Sequence, residues 1–182
     1  DQMAFATGWK SARREPLFLH ACSTSGAGTP TNQFGTQPAA TGVGYAYMMA
    51  KANNITGATT EFEDLARGMI CGTLSTPLVV GRTYAVSYKV SYASESSSMA
   101  INKLGVDFSV NNTGCVWSGT LPAPSCLYPM TNTPDLWSDS IISDSENWIT
   151  LSWTYTATEP SRYIILGAFH ELTQEQQIVA WP

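Results

Sequence analysis

The chain has 182 residues, a formal net charge of −5 and only 13% charged residues, against about 25% in an ordinary soluble domain. Its nine basic residues are scattered, which excludes a nucleic-acid face built on clustered Lys and Arg. No apolar run approaches the about 18 residues of a membrane helix, so membrane insertion is not expected either.

The length suits one domain, residues 1–182, able to bury a core. A chain opening at Asp1 without a signal peptide reads as a mature protein or an excised segment. Residues 1–12 read as an irregular lead-in around Phe5 and Trp9, and Pro16-Leu17-Phe18-Leu19-His20 as a short edge strand. Residues 22–44 are rich in Ser, Thr, Gly, Pro, Asn and Gln and are expected to be loop. Residues 43–50 predict a strand with Tyr45, Tyr47 and Met49 on one face. Thr60 followed by Glu63 has capping-box spacing, so residues 59–67 start either a helical turn or a strand. A short strand at 69–74 stops before Pro77.

The clearest pattern lies in residues 78–110. Tyr84, Val86, Tyr88, Val90 and Tyr92 alternate with Thr83, Ala85, Ser87, Lys89 and Ser91. Leu104, Val106, Phe108 and Val110 then alternate with Lys103, Gly105, Asp107 and Ser109. Successive strand side chains leave on opposite faces, so both runs are half-buried strands. The polar connection at 93–99 is too long for a tight turn and is expected to bridge two sheets. Residues 111–146, with Pro122, Pro124, Pro129 and Pro134, form a long insertion of the kind that is functional or mobile. Residues 148–157 alternate again, Glu159-Pro160-Ser161 makes a turn, and 162–169 reads as a strand buried on both faces. Strands with regular turn signals and almost no helix predict an all-β, antiparallel β-sandwich, with a jelly-roll as the expected form.

Four cysteines without a CxxC pair argue against zinc and thioredoxin chemistry. Cys115 and Cys126 flank a Gly- and Pro-rich loop, and a disulfide across it would contribute about 2–3 kcal/mol. Cys22 and Cys71 then pair with each other or stay as small buried hydrophobes. The hydroxyl-rich, charge-poor composition fits an oxidising, extracellular compartment.

Several phrases, in this order, resemble one family. They are Ala6-Thr7-Gly8-Trp9, Pro16 to Cys22, Pro30 to Ala39 and Gly42-Val43-Gly44-Tyr45-Ala46. Stronger are Leu74-Ser75-Thr76-Pro77-Leu78-Val79-Val80-Gly81-Arg82-Thr83-Tyr84 and Ala100-Ile101-Asn102-Lys103-Leu104-Gly105-Val106-Asp107-Phe108-Ser109, followed by Trp148 to Phe169. Together they resemble the galactose-binding-like jelly-roll domains on surface and secreted proteins of Bacteroidetes-type bacteria, found beside sorting, adhesion or cell-wall-anchoring modules. The resemblance covers most of the chain outside 111–146. It implies a non-catalytic carbohydrate-binding or adhesion module at the cell surface, with a glycan or surface polysaccharide as partner. The family's usual opening strand and its closing Tyr-x-hydrophobic-Asp-Asp-Val strand are not found. That departure implies the alternative, a structural subunit or segment of a surface assembly completed by strands from outside this chain. Pro16-Leu17-Phe18 stands where the family has Pro-Asp-Tyr-Phe, which puts any role of that Asp in question.

Catalysis finds little support. His20 and His170 lack metal-ligand spacing, and there is no G-x-S-x-G elbow. A glycan-active hydrolase, the lesser alternative, needs two opposed carboxylates, with Glu61, Glu63, Asp64 and Asp107 as the available groups. Sugar binding asks for aromatic faces beside polar side chains, which makes Trp117, Tyr128 and Trp137 the candidate ligand-binding residues. The competing reading is that they plug the insertion onto the sheet. Tyr84, Tyr88 and Tyr92 read as core or sheet surface. No cofactor is expected apart from calcium, for which Asp139, Asp144 and Glu146, near Asp135, offer hard oxygens; a solvated acidic loop competes with that reading. Asp139-Ser140-Ile141 resembles the Bacteroidetes O-glycosylation acceptor, and Asn54-Ile55-Thr56 and Asn111-Asn112-Thr113 are N-glycosylation sequons for a eukaryotic setting.

Overall fold

A computed structural model describes residues 2–13, 16–24, 26–50, 67–95, 97, 99–112, 133–170 and 177–179. A 3-10 turn, Gln2–Phe5, leads into β1 (Trp9–Arg13), β2 (Leu17–His20), β3 (Thr31–Asn32), β4 (Gly35–Thr36) and β5 (Gly44–Tyr47). Then come β6 (Met69–Thr73), β7 (Thr83–Val90), β8 (Met99–Ile101) and β9 (Leu104–Ser109). The described chain closes with β10 (Leu136–Trp137), β11 (Ile149–Thr156), β12 (Tyr163–Ala168) and β13 (Gln177–Val179). Every strand pairing is antiparallel. The expected all-β class stands, and the layering is consistent with a β-sandwich.

Five strands make the larger sheet, in the order β1–β6–β12–β9–β10. Across from it lies the β7–β11 pair, aligned without a slip from Thr83↔Thr156 to Val90↔Ile149. The alternation read from the sequence decides which side of this pair turns inward. Tyr84, Val86 and Tyr88 pack with Tyr155 and Trp153 against Ile70, Val106, Phe108 and Leu166 of the larger sheet. Thr83, Ala85, Ser87 and Lys89, with Thr150, Ser152, Thr154 and Thr156, face outward and are exposed. Thr83 and Thr156 share a hydroxyl–hydroxyl hydrogen bond of 2.9 Å on that outer face.

At its centre the larger sheet is apolar on its second face too. Met69, Cys71 and Ile165 point away from the first core and join Ala12 and Phe169 in another cluster, all at 0% exposure. This is why residues 162–169 lack alternation: β12 is covered on both faces, as expected. The two alternating runs of 78–110 lie in different layers, since β7 pairs with β11 and β9 with β12 and β10. The chain leaves β7 for β8, which pairs with β13, and enters the larger sheet at β9. Gly81, at φ 81°, takes the left-handed turn that starts β7.

Four sequence expectations change. Within the lead-in 1–12 expected to be irregular, Trp9 onward forms β1, an edge strand of the larger sheet paired with β6. Residues 22–44, expected to be loop, carry the short β3–β4 ribbon. Part of the expected insertion is sheet: β10 pairs with β9, and Ile142 is buried and bridges to Ile101. Cys22 and Cys71 are not joined by a disulfide. Cys71 lies in the central strand β6 and packs in the second core, whereas Cys22 follows β2 in a separate two-stranded ribbon and is exposed. Residues 59–66, Cys115 and Cys126 lie outside the described residues.

Gly105 lets β10 approach. A Cβ there would collide with the Leu136 carbonyl oxygen and crowd Trp137 Cβ. Gly105→Ala is expected to cost about 1–3 kcal/mol through this overpacking, read as a lower urea midpoint with an unchanged m-value.

Candidate functional site

Trp137 reaches the surface because of strand alternation. Its neighbour Leu136 turns into the first core, so Trp137, paired with Gly105, must leave on the opposite side. It is 42% exposed. Its backbone is fixed from below, where the Trp153 indole N–H donates to the Trp137 carbonyl at 3.0 Å. Ser138 N–H donates to Leu104 O at 2.9 Å, and Lys103 N–H to Ser138 O at 2.8 Å.

Lys103 sits in the two-residue link between β8 and β9 with φ 61°, left-handed for a residue with a side chain, a conformation costing about 1–2 kcal/mol. That turn brings its ammonium 5.8 Å from the centre of the Trp137 ring and into an ion pair with Asp139. The Asp139 side chain is 76% exposed, so the pair contributes little to stability and its carboxylate faces solvent. Asn102, buried beneath, donates to the Asp139 carbonyl at 3.4 Å. His170 closes the far edge, its ring 5.4 Å from the indole in an edge-on arrangement. Burial is the main influence holding His170 below the ordinary imidazole pKa, with Lys103 adding to it. Its Nδ1 meets no hydrogen-bond partner among the described residues. The result is a shelf: one aromatic face, one cation and one carboxylate.

A second feature is a cavity of about 690 Å³ between β5 and β7. Its floor is aliphatic, formed by Leu19, Ile70, Leu74, Ile164 and Leu166. Its mouth carries several rings, but they are largely engaged with one another. Phe34 stacks on Tyr47 at 3.6 Å and 10°, and Tyr45 meets Trp148 edge-on at 5.3 Å. The Trp148 indole donates to Pro38 O at 2.7 Å, and Asn32 Nδ2 to Tyr45 Oη at 3.0 Å. Lys89 is the one charged side chain among the described lining residues.

Of the three aromatic candidates, Trp137 is placed on this shelf, while Trp117 and Tyr128 lie outside the described residues. The calcium candidates are not brought together. Asp139 turns to Lys103, whereas Asp144 caps its own loop, accepting from Glu146 N at 2.9 Å and Asn147 N at 2.8 Å. Those hydrogen bonds, Asn147's first, hold the Asp144 carboxyl below its usual pKa. No group of three or more His, Cys, Asp or Glu side chains suited to a metal occurs among the described residues. Sequence reading missed Lys103 and His170 as neighbours of Trp137, because sheet pairing alone brings residues 103, 137 and 170 together. No protein-family model, curated protein or solved structure matches the chain.

The lowered His170 pKa makes a pH prediction. A histidine that prefers to be neutral when folded contributes stability that is complete above its unfolded pKa of about 6.5 and is lost as pH falls below it. Urea unfolding followed from about pH 7.5 to 5 should show this loss, and His170→Gln should flatten the acid limb.

Proposed function

We propose that the protein is a non-catalytic, extracellular carbohydrate-binding or adhesion module whose glycan contact is the Trp137 shelf. The observation carrying this reading is an exposed indole flanked by the Lys103–Asp139 pair. A pyranose presents an apolar C–H face and a rim of hydroxyls. The first stacks on the indole; the second accepts from the Lys103 ammonium and donates to the Asp139 carboxylate. Apolar contact with a few placed polar groups is the general recipe of small-ligand sites. The bond from Trp153 holds the Trp137 main chain in place before a ligand arrives, which lowers the ordering cost of binding. The resemblance of the flanking phrases to surface jelly-roll domains supports the same reading, as does the charge-poor, hydroxyl-rich outer face of β7 and β11.

Glycan-array screening followed by affinity electrophoresis of Trp137→Ala tests it. Loss of an aromatic anchor of this kind costs about 2 kcal/mol or more, so retention by the bound polysaccharide should fall at least about thirty-fold with the fold intact. Lys103→Gly separates binding from stability. It relieves the left-handed backbone, so the melting temperature should hold or rise while affinity drops. Absence of binding to every glycan on the array removes the proposal.

A further inference from the structure

The cavity between β5 and β7 touches every residue from Val86 to Ser94 and every residue from Tyr45 to Ala50. Successive side chains of a strand point to opposite faces, so a space that meets all of them in turn runs along a strand edge. Among the described residues β7 pairs with β11 alone. The ladder fixes which main-chain groups face the cavity. Ala157 N–H donates to Arg82 O at 3.0 Å, next to the Thr83↔Thr156 pair, so by alternation the even-numbered residues of β7 address β11. By the antiparallel alternation, Ala85, Ser87 and Lys89 direct their N–H and C=O groups the other way.

From this edge and its aliphatic floor we infer that the cavity is an acceptor slot for an extended segment of another polypeptide, which adds to β7 as a strand. Main-chain pairing with Ala85, Ser87 and Lys89 supplies affinity, and alternate apolar side chains seated on Ile70, Ile164 and Leu166 supply register. An unpaired edge is a template for strand addition, and this one carries Lys89 as its single charge. The partner is therefore a strand of alternating aliphatic and hydroxyl residues, neutral or flanked by acids. A sugar fits this slot poorly, because its wall is main chain, its floor is aliphatic and the rings at its mouth already contact each other. The slot is separate from the Trp137 shelf and does not depend on the glycan reading.

An array of synthetic nonapeptides, alternating Val or Ile with Thr and with or without terminal Asp, tests the inference on the full chain. At least one peptide should bind, and it should slow amide exchange at Ser87 and Lys89. Ser87→Pro removes an outward N–H without touching the β11 ladder, and should weaken binding at least tenfold. Thr154→Pro makes the equivalent change on the opposite edge of the pair and should leave binding within twofold. Binding by no peptide, equal loss in the two proline variants, or unchanged exchange at Ser87 and Lys89 overturns the inference. So does protection of those amides by a linear oligosaccharide but by no peptide. If Ser87→Pro does not fold, amide exchange in the unaltered chain decides alone.

Discussion

Phe108 of β9 stacks on Tyr155 of β11 with ring centres 4.4 Å apart and planes 20° from parallel. This contact joins the two layers, and much else follows from it. Offset aromatic pairs add roughly 0.5–1.5 kcal/mol beyond the area they bury, and here the pair also sets the spacing between sheets. Two polar tips also cross between the layers: the Tyr88 hydroxyl to Gly105 O at 3.4 Å and the Trp153 indole to Trp137 O. Burial pushes the Tyr88 hydroxyl well above the usual phenol pKa, so it remains a neutral donor.

The central strands β6 and β12 of the larger sheet are buried on both faces, while the β7–β11 pair is covered on one. That asymmetry explains the surface. The pair's outer face meets solvent as regular sheet, and it does so with Thr and Ser more than with charge. β-branched Thr suits an exposed pleated surface, so a low charged fraction is compatible with a soluble strand face.

β7 and β11 were legible from sequence because one face of each is solvated, and β9 because Gly105, Asp107 and Ser109 alternate with its large apolar side chains. Continuous apolar character recovered β12. β1 escaped because a register shift between Ser11 and Arg13 breaks its alternation. β10 escaped because two residues are too few to show a period, although Leu136 and Trp137 divide cleanly between core and surface. The candidate site was half legible. An aromatic in polar sequence pointed to Trp137, and Asp139 was weighed for a cation. Its actual partner, Lys103, is 36 residues away in sequence and arrives only through the β9–β10 pairing and a left-handed backbone at Lys103. The cavity was not legible at all, since it is defined by where β7 has no second neighbour among the described residues.

The bond from Trp153 to the Trp137 carbonyl has a thermodynamic consequence. It fastens the shelf to a residue whose ring packs in the main core, so docking of the two layers supports the shelf together with the β9–β10 pairing. Whatever binds there binds the folded chain alone. Occupancy then adds RT ln(1 + [L]/Kd) to the unfolding free energy, about 2.7 kcal/mol at a hundredfold excess over Kd. On a dense surface of its ligand the folded chain would be more stable than in free solution. Attachment and durability would be one property, carried jointly by the indole hydrogen bond and the β9–β10 pairing.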